Sequence, residues 1–206
     1  GVMTGTGGSQ MPDFLFNADD HTYTLDGKNI PSLTNVLKVL SDRILSHIPD
    51  PEVVERARIR GTEAHKAIEA MNLGGGDRFE SGYTMAWGQF LEDTGFKPTH
   101  TEYRSYHLPL WFACTIDVLG NLPSGKQMLI DIKTGTSYPH HPLQTAGQAM
   151  ALSSHGICPR DVLRANVRLF PKGEGYDYSI EMHENEGDFK ALESYINWHR
   201  VRELYV

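Results

Sequence analysis

Asp117, Asp131 and Lys133 constrain this chain more than any other feature, because one β-hairpin would gather all three. Segments 114–120 and 127–133 flank Pro123-Ser124-Gly125, which reads as a three-residue hairpin loop with Gly placed to take φ > 0. Centring the turn on Ser124 sets Val118 opposite Ile130 and Asp117 opposite Asp131. Directly opposed residues lie about 4.5–5.5 Å apart at Cβ, where like charges repel. Alternation puts Lys133 on the face of Asp131, opposite Thr115. Ile116, Val118, Met128, Ile130 and Ile132 share the other face, which is apolar and needs a core. Two facing carboxylates beside an ammonium form an arrangement that a divalent cation would relieve.

A chain of 206 residues, 39% of them hydrophobic, suits one domain with a full core, assigned here to residues 11–206. No apolar run is long enough for a transmembrane helix. Residues 1–10 are small and polar, unlike a signal peptide, and read as an expression-tag remnant before a natural start at Met11. Cys114 and Cys158 are the only cysteines. They are too few for a four-cysteine iron–sulfur cluster, and with the missing signal they imply a reducing, cytoplasmic setting. A net charge of −7 argues against nucleic acid, while Arg56, Arg58 and Arg60 crowd one helix and Arg160, Arg164, Arg168 and Lys172 a later segment. The plainer reading of either cluster is a solvated face.

The pattern predicts a mixed α/β (α+β) fold, with a central mixed sheet flanked by helices. A hairpin spans 21–30 around Asp26-Gly27, and a helix capped by Ser32 or Thr34 runs to about Ser41. Helices follow from Pro51 to about Asn72 and over 81–94. Strands are predicted at 99–107, through the central hairpin, at 162–170 and at 176–182. Helices at 142–154 and 188–203 complete the order, which in the middle reads helix, three strands, helix, strand.

On the helix from Pro51, Gly61, His65 and Glu69 recur at i, i+4 and i+8 and share one line. Gly61 costs roughly 1 kcal/mol there relative to Ala, which suggests close approach of another backbone. His65 is an ordinary core histidine or a ligand joining the carboxylates, with Glu69 as its partner or simply exposed. Glu102 is a solvent-facing strand residue or part of the site, and Gln144 and Gln148 stand one turn apart on a helix with small neighbours. His140 and His141 are adjacent and read as loop residues, not a zinc site.

Taken together, the run 60–69, Glu102, Thr115-Ile116-Asp117, Asp131-Ile132-Lys133-Thr134-Gly135 and Gln144 resemble the successive motifs of the PD-(D/E)xK nuclease superfamily. The resemblance is to its RecB-like and phage exonuclease branch, and it covers residues 31–151. It implies a restriction-endonuclease-like αβββαβ core and a DNA exonuclease acting in recombination, repair or end processing. Asp117, Asp131, His65 and the carbonyl of Ile132 would hold one or two Mg²⁺ or Mn²⁺ ions. Lys133 would position the attacking water or stabilise phosphate charge, and Glu102 would be a ligand or its neighbour. Gln144 would contact DNA or orient Lys133, with Gln148 standing where the family often has Tyr.

Two further expectations concern substrate and partners. Ser32, Thr34 and Arg60 could bind a terminal 5′-phosphate. No P-loop pattern is present, so unwinding would fall to a helicase or recombination partner. A structure-specific or single-strand endonuclease and an inactive DNA-end-binding protein are the alternatives.

Overall fold

Capping residues and hydrophobic alternation divide the chain into its elements. In the computed structural model, which describes residues 12–45 and 50–205, the first elements are β1 (Phe14–Asn17), β2 (Thr22–Leu25) and β3 (Lys28–Ile30). Helices α1 (Leu33–Val36), α2 (Lys38–Leu45), α3 (Pro51–Asn72) and α4 (Gly82–Thr94) follow. Then come β4 (Lys97–His107), β5 (Phe112–Asn121), β6 (Gln127–Lys133), α5 (His141–Ser154), β7 (Leu163–Lys172), β8 (Gly175–Met182) and α6 (Gly187–Tyr205). The expected tag remnant at 1–10 lies outside the described residues.

The helix starts follow side-chain chemistry. Ser32 Oγ accepts the Asn35 N–H at 3.1 Å, Asp50 Oδ1 accepts the Glu52 N–H at 2.9 Å, and Ser81 with Thr84 forms a capping box. Ser32, not Thr34, is thus the cap of α1. The helix expected to continue to Ser41 is divided at Leu37, which caps α1 before α2 begins. Strand β1 was not read from the sequence; it pairs antiparallel with β2 and turns the expected hairpin into a three-stranded sheet.

The main sheet has the order β4-β5-β6-β7-β8, parallel only between β6 and β7 and antiparallel elsewhere. Parallel neighbours need a crossover, and α5 supplies it. The succession α4, β4, β5, β6, α5, β7 is the predicted helix, three strands, helix, strand. One face packs Phe112, Cys114, Ile116, Leu119 and Leu129 against Leu33, Leu152, Leu192 and Ile196 of α1, α5 and α6. The other packs Val118, Met128, Ile130, Ile132 and Val167 against Ile68, Trp87 and Phe90 of α3 and α4. No helix among the described residues is long and apolar enough to cross a membrane.

The β5–β6 hairpin has the predicted register through Val118↔Ile130, and Gly125 takes φ 83 in its loop. Ile116 does not share the face of Val118, however, but packs with the opposite core. The alternation reverses at Asp117, where the β4–β5 pairing also skips the step between Glu102 and Asp117. Glu102 has φ 45, a left-handed conformation that costs an L residue about 1–2 kcal/mol. Side chains replace the missing ladder there: Thr101 Oγ1 donates to the Asp117 carbonyl at 3.2 Å, and the Ile132 N–H donates to Asp117 Oδ2 at 2.7 Å.

Gly120 is required where β4 crowds β5 at a register shift between Pro98 and His100. A Cβ on Gly120 would stand 2.3 Å from the backbone oxygen of Lys97. Gly120→Ala is expected to destabilise the protein by about 3 kcal/mol, read as a lower urea midpoint. A midpoint equal to wild type would contradict this packing.

Candidate active site

The break in β4 and β5 turns two acidic side chains toward the helix line of Gly61 and His65. His65 Nδ1 lies 3.6 Å from Asp117 Oδ1 and 3.8 Å from Glu102 Oε1. The donor atoms of these three residues all fall within 4.8 Å of one another, the one such group of three among the described residues. Two donors on one ion with bonds of about 2.1 Å can be at most about 4.2 Å apart, so both His65 distances suit a shared cation. An imidazole and two carboxylates make a mostly oxygen set, fitting Mg²⁺ or Mn²⁺. The Ile132 carbonyl, expected as a ligand, instead accepts a hydrogen bond from His65 Nε2 at 3.0 Å. That contact leaves Nδ1 facing the carboxylates and fixes the ring as an outer acceptor fixes a metal-binding histidine.

Asp131 stands beside this trio rather than within it. Its carboxylate, 2% exposed, accepts Lys133 Nζ at 2.7 Å, Gln144 Nε2 at 2.9 Å and Asn166 Nδ2 at 2.7 Å. Lys133 Nζ also donates to Gln144 Oε1 at 3.1 Å, so the glutamine bridges acid and ammonium and orients both. Asn166 was missed by sequence reasoning, although an amide amid the apolar residues of β7 was the available signal. Its Oδ1 accepts from His183 Nε2, and burial lowers the His183 pKa.

Burial and charge crowding together raise the pKa values of both His65 and Asp117. Burial by itself would lower the His65 pKa, but Asp117, Glu102 and Asp131 outweigh it and push it up to about 9. Burial pushes the Asp117 carboxyl up to about 7, with Asp131 and Glu102 adding to the rise and His65 opposing it. The protein alone therefore holds a proton on His65, where the acids demand positive charge.

These residues lie at a junction between two cavities. The larger, about 830 Å³, is lined by Tyr23, Thr34, Gly61, His65, Glu102 and Asp117 among others. The smaller, about 330 Å³, is lined by Lys133, Thr134, Tyr138, His140 and His141. Thr34, Gly61, His65 and Gln144 border both. His140 is the N-cap of α5 and His141 its first residue; burial, with Lys133 adding, pushes the His141 pKa down to about 3.

Several expected roles are placed differently. Gln148, 1% exposed, is interior, donating Nε2 to the Thr115 carbonyl at 3.2 Å, and Oε1 has no partner among the described residues. Ser32 and Thr34 line the large cavity, whereas Arg60 turns away to Tyr83. One helical step from Gly61 rotates a side chain by about 100°, and Arg60 is not among the residues that line the cavity with Ser32 and Thr34. Arg164 is buried against Asp188 at 2.9 Å, Arg168 contacts the Gly135 carbonyl, and Lys172 pairs with Asp177, so three of the four bases in this cluster are engaged within the fold, while Arg160 is exposed. Glu69 lines the large cavity.

Gly61 does not mark a backbone contact: a Cβ there would meet only Thr134 Oγ1 at 3.5 Å. Gly61→Ala is expected to raise stability by about 1 kcal/mol through helix propensity, and a lowered urea midpoint would contradict this. A pH dependence follows from the trio. Both folded pKa values, about 9 for His65 and about 7 for Asp117, exceed the unfolded ones. Their stabilisation is full below about pH 4 and is lost as pH rises through about 7 and then about 9. In chelator, the urea midpoint should fall from pH 5 to pH 9, and more shallowly in Asp117→Asn; equal slopes would reject the assignment.

Neither a protein-family model nor a curated protein matches this chain.

Proposed function

We propose that the chain is a divalent-metal-dependent deoxyribonuclease of the PD-(D/E)xK type, acting as an exonuclease on DNA ends. One observation carries this reading. Glu102, Asp117 and His65 converge beside Asp131 and Lys133, whose ammonium is fixed 2.7 Å from Asp131 and 3.1 Å from Gln144. Glu102, Asp117 and His65 would hold the ion, with Asp131 next to them. A bound Mg²⁺ or Mn²⁺ supplies Lewis-acid polarisation of a phosphodiester and a more acidic water.

The chain's own groups do the positioning. Lys133 presents N–H donors to the smaller cavity beside Gln144, which borders both, where they can bond a phosphate oxygen or the attacking water. Gln144 braces the Lys133–Asp131 pair, because its Oε1 accepts from Nζ while its Nε2 donates to the acid. His65 occupies both cavity walls and couples the acidic trio to the Ile132 backbone.

End-labelled linear DNA and closed circular DNA incubated with Mg²⁺ or Mn²⁺ test the reading. Label should leave the linear substrate only, chelator should stop the reaction, and Lys133→Ala should slow it about 10²-fold or more. Cleavage of the circle would identify an endonuclease instead. Intact DNA of both kinds with the wild-type protein under either metal would overturn the proposal.

A further inference from the structure

The large cavity holds a feature that hydrolysis at the acidic trio does not use. Arg104 lies in β4, two residues beyond Glu102, and lines the same cavity. Its guanidinium carbon sits 4.2 Å from the centroid of the Phe16 ring, so the cation lies over an aromatic face of the small sheet. Arg104 is exposed and forms no ion pair among the described residues. Phe16 packs in a tilted arrangement on Tyr23 at 4.8 Å between ring centroids, and His21 meets it edge-on at 5.8 Å. Phe16 and His21 also line the cavity, so an aromatic surface and an unpaired planar cation share a wall with the acidic trio.

We propose that Phe16, His21 and Arg104 form a stacking subsite for an unpaired nucleobase of the substrate strand. The proposal rests on the nuclease reading for its choice of ligand. A guanidinium centred over a phenyl ring leaves its other side open to a further π system, and every base has such a face. The cation also attracts the phosphate of the same strand, as does Lys66 of α3, which lines the cavity too. Bases inside a duplex have their faces covered by neighbours, so this surface can engage only a frayed or single-stranded end. A single strand bound here has its next phosphates directed along the cavity that Glu102 and Asp117 line. The small three-stranded sheet thereby acquires a function separate from the catalytic hairpin: it selects an unpaired end.

The test uses the full chain in chelator, so that binding is read without cleavage. The probes are a short single strand carrying 2-aminopurine near one end and a blunt duplex of the same length. Wild type should quench 2-aminopurine fluorescence in the single strand and bind that strand in preference to the duplex. Arg104→Ala and Phe16→Leu should weaken single-strand binding about 5- to 150-fold and abolish the quench. Phe16→Tyr should keep both, because the ring remains, and Arg104→Lys should lose the quench while retaining charge. Leucine preserves the apolar bulk of Phe16 against Tyr23, so a loss in that variant belongs to the ring. Unchanged affinity and quench in both Arg104→Ala and Phe16→Leu would overturn the subsite. If wild type still degrades labelled DNA with metal in that case, the nuclease reading stands alone. If instead the quench depends on Phe16 and Arg104 but no DNA is degraded, the subsite stands and the nuclease reading falls.

Discussion

A carboxylate with almost none of its surface in water must be surrounded by donors, and the arrangement around Asp131 follows from that demand. Its donors come from three elements: Lys133 from the same strand β6, Gln144 from α5 and Asn166 from the parallel neighbour β7. Removing one donor while leaving the acid buried costs the unpaired group its desolvation, which in mutational work exceeds the worth of the bond itself. The network thus fixes the register of β6 on β7, where Asp131 pairs with Asn166, and sets how α5 crosses between them. The crossover in turn fixes where the Lys133 ammonium points. The groups that hold the sheet together here are also those that aim the candidate catalytic lysine.

A second constraint acts one strand away. An undisturbed β4–β5 ladder would leave Asp117 and Glu102 to follow the alternation of their strands. The left-handed residue at Glu102 and the skipped pair interrupt both strands at one level. Such strain persists only where surrounding contacts over-determine it, and here Thr101 and the Ile132 N–H bond the backbone and carboxylate of Asp117. The same interruption moves Ile116 to the opposite core from Val118. Distortion and acidic cluster are one structural fact, because the backbone that leaves its ladder is the backbone that delivers the carboxylates.

That interruption also marks where reading from sequence stops. The hairpin loop, its register through Val118 and Ile130, and the bounds of α3 were legible because turn chemistry, alternation and caps are local. A regular extension of the register placed Ile116 with Val118 and set Asp117 against Asp131, since nothing local announces a left-handed glutamate. Gln148 was grouped with Gln144 as a candidate for DNA contact, because a glutamine carries no sign of the backbone carbonyl it will satisfy. Arg60 was grouped with Ser32 and Thr34 by chemistry alone, whereas helix phase sends it toward Tyr83. Strand β1 is short, and its pairing with β2 becomes evident only in three dimensions. The proximity of His65 to Glu102 joins residues 37 positions apart and likewise depended on the fold.

The chain's net charge of −7 weighs against nucleic acid only if charge is spread evenly, and it is not. Three of the acids are concentrated at the candidate site, where a divalent ion would offset them. Among the bases, Arg164, Arg168 and Lys172 are engaged with neighbouring acids or carbonyls and offer little to a ligand. Arg104 and Lys66 form no ion pairs among the described residues and border the large cavity, one on β4 and the other on α3. Within a Debye length of about 8 Å at physiological salt, these nearby cations count for more than acids on distant faces. The same cavity is lined by Asp20, Glu69, Glu102 and Asp117, so a phosphate there would meet both signs of charge, and that local balance, with an ion on the acids, would decide its binding more than the whole-chain sum.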